Sequence, residues 1–317
     1  MVKNCFLHLG LHKTGSSSFQ RICQKNINLL KSFYITYPIF TCAEANKNSI
    51  NNHSIPISSL FSKKPEAYNK NIRWNVSDRI KQVNKSYLEQ LEKYLEESNN
   101  IILSGEGISM LHEQSLKDLV EKIKSYNFKV QIIALLRNPY DNFCSSIQEL
   151  IKDGKYIDLI SFNETPPNGL NKKYVLRSKI IEKLKLTFNK NIQFYSFENA
   201  CKHNHGPAGF LIDKYLKLDP SLFEYSRYNE SQFNLTVRLQ NEQNKLNPAI
   251  LNKKLNPKFI SLRQLNKYLS FSGKFLLTKK EFKIIEEIIY KENNKYFELT
   301  GINYKDELIK FSEPIGE

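Results

Sequence analysis

The chain has 317 residues, 40% of them hydrophobic and 12% aromatic, which supplies a large core and excludes a disordered chain. Its net charge of +15, from 47 basic against 32 acidic residues, favours anionic partners: nucleotides, acidic glycans, nucleic acid or anionic lipid. A lysine- and asparagine-rich bias spread over solvated faces accounts for the charge equally well, and the scattered Cys5, Cys23, Cys42, Cys144 and Cys201 argue against both a zinc site and a disulfide framework.

The opening MVKNCFLHLG lacks the apolar run of a signal peptide, and no stretch approaches the roughly 18 apolar residues of a membrane span. A reducing, cytoplasmic location is the expectation. Cys5–Leu9 is a short apolar run ending in a Gly/Ser-rich turn, and Ser17–Leu30 carries Phe19, Ile22, Cys23, Ile27 and Leu30 at helical spacing, so the order is strand, loop, helix. Residues 37–75 are rich in Asn, Ser, Pro and Lys with little periodicity and read as an insertion or lid. Ser77–Glu97 reads as an amphipathic helix capped by Ser77, with Ile80, Val83, Tyr87, Leu88, Leu91 and Leu95 on its apolar side.

A second strand follows at Ile101–Leu103 and a helix at Leu116–Tyr126. Val130–Leu136 is the most continuous apolar run, as a central parallel strand buried on both faces requires, and Pro139 opens the next helix at its first turn. Tyr174–Phe188 reads as helix and Ile192–Tyr195 as strand. Helices near Ala208–Leu216, Phe233–Lys245 and Lys279–Glu298 make residues 205–317 mainly helical. The alternation predicts an α/β fold with a central parallel sheet flanked by helices, in one domain spanning residues 1–317.

Gly10-Leu-His-Lys-Thr-Gly15-Ser-Ser has two glycines at the spacing of a phosphate-binding P-loop, but Lys stands at position 13 and Ser16 occupies the Walker lysine position. That displacement argues against an ordinary ATPase, GTPase or kinase. Backbone N–H groups at the start of the following helix still suit an anion, and Lys13 is within reach of it. Taken alone, the segment also fits an ordinary Gly/Ser turn with an exposed lysine.

Leu135-Leu-Arg137-Asn-Pro-Tyr-Asp-Asn-Phe-Cys-Ser145 puts an arginine at the end of the buried strand, facing the crevice where open α/β sheets bind ligands, and a serine two turns into the next helix. Arg137 offers a fixed fork of donors for phosphate and Ser145 a hydroxyl. In isolation the pair also fits a strand-capping arginine and a solvated serine.

HLGLHKTGSSSFQ, with the Arg137-to-Ser145 spacing downstream of it, resembles the sulfotransferases that use 3′-phosphoadenosine 5′-phosphosulfate (PAPS), in particular their bacterial and carbohydrate-type branch. The resemblance implies a P-loop-like sulfotransferase fold, and a 5′-phosphosulfate loop formed by His12, Lys13, Thr14, Gly15, Ser16, Ser17 and Ser18. It further implies that Lys13 stabilises the leaving phosphate and that Arg137 and Ser145 form the 3′-phosphate site. Ser16 and Ser17 replace the usual threonines and keep the hydroxyls. Ser18 stands where small-molecule enzymes of the family often carry an adenine-contacting tryptophan, which disfavours that branch. Gln193-Phe-Tyr-Ser-Phe197-Glu is similar to the family's adenine-pocket strand and makes Phe197 the stacking candidate, with core packing as its alternative. Arg227-Tyr-Asn229-Glu-Ser231 is similar to a turn of the bacterial branch near the nucleotide, although a helix cap at Asn229 is equally compatible.

Sulfuryl transfer needs a base for the acceptor proton and positive groups for the departing phosphate, and no metal. Glu106, in Ile101-Ile-Leu-Ser-Gly-Glu-Gly, follows the end of a strand between two glycines, and several carbohydrate enzymes of the family use glutamate there. An N-cap or solvated loop carboxylate is its alternative, and His53 is the rival base or an acceptor contact. His12 supports the donor, whereas His8, inside the strand, packs as core. The expected activity is transfer from PAPS, leaving 3′-phosphoadenosine 5′-phosphate, to a hydroxyl or amine of a glycan or other polar acceptor, with no nucleic-acid partner. The competing classes are a P-loop kinase and a non-catalytic polyanion-binding protein.

Overall fold

The apolar run near the start of the chain forms strand β1 (Lys3–Leu9), buried from Cys5 onward. A computed structural model describes residues 3–162, 169–170, 176–225, 232–251 and 254–313. Two units emerge: residues 1–136 with 180–228, and residues 137–179 with 229–317.

After the loop that follows β1, the expected helix is divided into α1 (Ser16–Lys25) and α2 (Ile27–Ser32). Asn26 causes the break: its amide nitrogen donates to the Ile22 and Glu224 carbonyls and its Oδ1 accepts from the Glu224 N–H, holding its own backbone at φ −104°. The 37–75 region has secondary structure of its own. Beyond the short strand β2 (Ile35–Thr36) come the antiparallel pair β3 (Phe40–Cys42) and β4 (Lys47–Ile50), then α3 (Ser54–Phe61) and α4 (Asn69–Arg73). Elements of three to eight residues leave too few repeats for a period to show in sequence.

The long amphipathic helix is α5 (Ile80–Glu97), preceded by a 3-10 turn. Val83, Tyr87, Leu91 and Leu95 are its buried stripe. Leu88, expected on that stripe, is exposed, and Ser77 donates to the Glu66 carbonyl instead of capping. β5 (Asn100–Gly105), α6 (Glu113–Lys124) and β6 (Phe128–Leu136) follow. The chain then enters the second unit with α7 (Pro139–Lys152), β7 (Asp158–Phe162) and β8 (Gly169–Leu170). It returns through α8 (Ser178–Phe188), β9 (Ile192–Ser196), α9 (Phe197–Cys201) and α10 (Gly206–Leu211), the last continued by a π turn.

The first unit is built on a five-stranded parallel sheet in the order β2-β5-β1-β6-β9. From β1 the chain builds leftward and then crosses to β6, so β1 and β6 flank the switch point where open sheets bind ligands at their C-terminal ends. One core cluster joins Phe6, Phe19, Ile22, Ile102, Leu135 and Tyr215. Because side chains alternate along a strand, Cys5, Leu7 and Leu9 point the opposite way from Phe6 and are equally buried, as a sheet covered on both faces requires.

The second unit is completed by α11 (Asn234–Leu246), the short pair β10 (Ile250–Leu251) and β11 (Lys254–Leu255), α12 (Lys279–Lys283) and α13 (Glu286–Thr300). Its core gathers Phe143, Ile147, Ile151, Val237, Phe275 and Ile289. Arg238 makes a two-pronged pair with the buried Glu281, at 2.8 and 3.0 Å. Among the described residues no helix is long and apolar enough to cross a membrane.

Candidate functional site

β1 and β5 run side by side with Leu9 opposite Gly105, so whatever follows the two strands is brought together. After β1 comes the loop Gly10–Gly15. A side chain at Gly10 would collide with Ser16 Oγ, 2.1 Å from an ideal Cβ, and crowd the Glu106 backbone at 3.2 Å. The hydrogen of glycine is what lets the loop close. Lys13 (φ 68°) and Gly15 (φ 78°) both take left-handed backbone, and Thr14 Oγ1 donates to the Leu11 carbonyl at 2.6 Å. A lysine held in that region indicates a loop fixed by its surroundings.

Gly15 is the N-cap of α1; among the described residues no side chain caps that terminus, and the first turn is Ser16, Ser17 and Ser18, without an acid. First-turn N–H groups and the positive end of the helix dipole therefore point at the loop. Ser16 Oγ is buried with no hydrogen-bond partner among the described residues. These features fit the phosphate end of a nucleotide.

After β5 comes Glu106. Its Oε2 stands 3.5 Å from His12 Nδ1, each side chain a little over one-third exposed. His12 beside it, with Lys13 and Lys70 at longer range, holds the Glu106 carboxyl below its usual range, against the opposing effect of burial. The turn bearing Glu106 is tied down by residues that sequence reasoning did not single out. Ser109 Oγ donates to the Glu106 carbonyl at 2.7 Å and lies 3.2 Å from the Gly10 carbonyl, joining the two strand ends. The Lys183 ammonium donates to the carbonyls of Ser109 and Leu111, both at 2.7 Å, and Ser54 Oγ accepts from the Gly107 N–H at 2.8 Å.

Glu106 and His12 border a cleft of about 810 Å³ whose far wall is α3 and α4. Lys63, Lys64, Lys70 and Arg73 line it, with Tyr68 and Asn69 between them. Four cations facing one carboxylate make the cleft electropositive.

The sequence-based candidates thus fall into several groups. His12, Lys13, Thr14, Gly15, Ser16, Ser17 and Ser18 occupy the loop and the first turn of α1, and Glu106 stands beside them. Phe197 approaches the same loop, its Cε2 3.5 Å from where a Gly15 Cβ would lie, and packs on the edge of the core cluster as well. His53 is buried and fully engaged: its Nδ1 accepts from the Ser104 N–H at 2.9 Å, its Nε2 donates to the Pro38 carbonyl at 2.8 Å, and Tyr37 and Phe40 flank the ring. Neither nitrogen is left for a substrate proton, so the rival-base expectation is replaced by a structural role. His8 is core, against Phe19 and 2.9 Å from Ser104 Oγ.

Arg137 follows β6 directly in the chain and belongs, with Ser145 on α7, to the second unit; both are half-buried. Asn229 and Ser231 lie outside the described residues. A comparison with protein-family models finds no match to this chain, and a comparison with curated proteins finds none either.

Proposed function

We propose that the chain is a PAPS-dependent sulfotransferase of the carbohydrate-type branch, moving a sulfuryl group to a hydroxyl or amine of a glycan or other polar acceptor. The observation that carries the reading is the adjacency of Glu106, paired with His12, to a left-handed loop bearing Lys13 and leading into an uncapped helix N-terminus. A base and an anion cradle stand side by side, as in-line transfer needs.

In this reading the acceptor lies in the cleft with its O–H or N–H toward Glu106. Glu106 takes the proton, the acceptor atom bonds to sulfur, and the sulfur–oxygen bond to the phosphate breaks. The negative charge left on that phosphate is met by Lys13 and the α1 amides. The family resemblance assigns Arg137 and Ser145 to the donor's 3′-phosphate and Phe197 to its adenine. Lys63, Lys64, Lys70 and Arg73 favour an acceptor that is itself negatively charged. Five cysteines that form no disulfide among the described residues favour a reducing, cytoplasmic location for the enzyme.

The test is ligand-dependent melting followed by label transfer. 3′-Phosphoadenosine 5′-phosphate without Mg²⁺ should raise the melting temperature, and Mg-ATP should not. Labelled PAPS should then pass its sulfate to an acidic oligosaccharide in preference to its neutral counterpart. Stabilisation by Mg-ATP alone would replace this reading with phosphoryl transfer.

A further inference from the structure

From Lys245 to Phe271 the sequence contains six basic residues and no acidic one, in a chain where acids are otherwise common. The same stretch exposes large apolar side chains, among them Leu246 (76%), Leu255 (85%), Tyr268 (66%) and Phe271 (79%). Ile250, exposed, pairs with Leu255 across β10 and β11. Beyond this pair the chain runs back beside α11: the Leu262 N–H donates to Gln240, the Phe233 N–H to Asn266 and the Leu235 N–H to Ser272. The segment is therefore anchored through its backbone and amides while Ile260, Tyr268 and Phe271 stay in water. Lys258, Arg263 and Lys267 are exposed among them, the Lys267 ammonium 4.7 Å from the Tyr268 ring centre.

Exposed aliphatic and aromatic side chains recurring this densely along one segment mark an interaction surface, and the unbroken positive charge defines what it faces. A nucleic acid would satisfy the lysines and leave the leucines and isoleucines idle. A second copy of this chain across a two-fold axis would set the basic strip against itself. An anionic bilayer answers both halves, taking the apolar side chains below its headgroups and the basic ones among its phosphates. We infer that the 245–271 strip of the second unit docks the protein on a membrane surface bearing anionic lipid. The inference is independent of the proposed reaction, and it gives part of the +15 charge a place.

Co-sedimentation with phosphatidylcholine vesicles, with and without phosphatidylglycerol, tests it. Binding is expected only with phosphatidylglycerol. The triple variant Lys258→Ser, Arg263→Ser, Lys267→Ser should weaken partitioning about 100-fold, at about fivefold for each basic residue near an anionic surface. The pair Leu255→Ser, Phe271→Ser should weaken it about tenfold or more. All five side chains are exposed, so circular dichroism and melting should match the parent. Failure to bind phosphatidylglycerol vesicles overturns the inference. So does binding that survives the apolar pair, which would reduce the strip to a general polyanion surface. Self-association in solution that the same variants abolish, without vesicle binding, would overturn it in favour of a second copy.

Discussion

His12 and Glu106 stand 3.5 Å apart because β1 and β5 end level with one another: His12 is the third residue after Leu9, and Glu106 is the first after Gly105. Two side chains distant in sequence are thus set by one register, and a shift of a single residue in that pairing would separate them.

The pairing has a consequence for pH dependence. In the proposed reaction Glu106 serves as base only when ionised, and its carboxyl is held below the ordinary 4.5, chiefly by His12. The activity should therefore hold through the ordinary carboxylate range and fall at lower pH. In His12→Ala the largest cause of the shift is gone, and the acid limb should move up toward 4.5. The same sign governs stability: this contribution is present above the unfolded pKa and is lost as pH falls through the folded one. A pH–rate profile of the variant whose acid limb coincides with the parent's would remove His12 from this role.

Removing the carboxylate itself separates chemistry from binding. Glu106→Gln should lower kcat about 10²–10⁴-fold, the range for a positioned base, while the melting shift given by 3′-phosphoadenosine 5′-phosphate stays unchanged. Lys13→Ala should lower kcat about 10²–10³-fold and also reduce that shift, because the proposed reading sets Lys13 against the nucleotide. Equal effects of both substitutions on nucleotide binding would contradict the division of labour.

Gly15→Ala tests the loop backbone. At φ 78° an alanine is strained by roughly 1–2 kcal/mol, whereas the space itself is adequate, with Phe197 at an ordinary 3.5 Å. Nucleotide affinity should fall roughly five- to thirtyfold as the loop relaxes. An affinity equal to the parent's would show that the loop's left-handed turn is not needed for binding.

Lys183 is a positioning residue for the Glu106 turn. Burial lowers its pKa, yet its ammonium donates to two carbonyls of that turn. Lys183→Met keeps the stem and leaves the acceptors unpaired, at a cost of about 1–3 kcal/mol in denaturant unfolding. kcat should fall while KM for the nucleotide holds, and Lys183→Arg should recover part of the loss. A kcat unaffected by Lys183→Met would reduce Lys183 to a stabilising contact.

Where local pattern carries the information, the fold is legible in the sequence. Ile132–Leu136 is apolar without interruption because that part of β6 is buried throughout, and Glu106 is legible as a candidate because it directly follows a strand. The cleft wall is different. α3 buries Ser54, Ser58 and Ser59 alongside Ile55 and Ile57, and Ser59 is bonded to Asn84 and Asn71, so polar residues occupy core positions and hide the period. Lys183 and Ser109 are 74 residues apart and His53 and Ser104 are 51 apart, pairings with no local signature. His53 looks like a loop histidine until its two partners are seen.

Those partners yield a prediction about acid. His8 and His53 are both fully buried, and burial pushes each pKa down from 6.5 to about 4. A histidine whose folded pKa is depressed leaves the unfolded chain binding more protons, so its stabilising effect is complete above pH 6.5, declines as pH falls, and is exhausted near pH 4. A shift of this size corresponds to about 3 kcal/mol for each histidine. Urea unfolding at pH 7 and at pH 4.5 should show a loss that exceeds what carboxylate protonation contributes. His53→Gln can retain one of the two bonds without titrating. It should be less stable than the parent at pH 7 and lose less between the two pH values, because of the two buried histidines His8 alone then gains a proton on unfolding. A variant whose loss on acidification equals the parent's would show that His53 already opens to water in the folded state, contrary to its two hydrogen bonds and its burial between Tyr37 and Phe40.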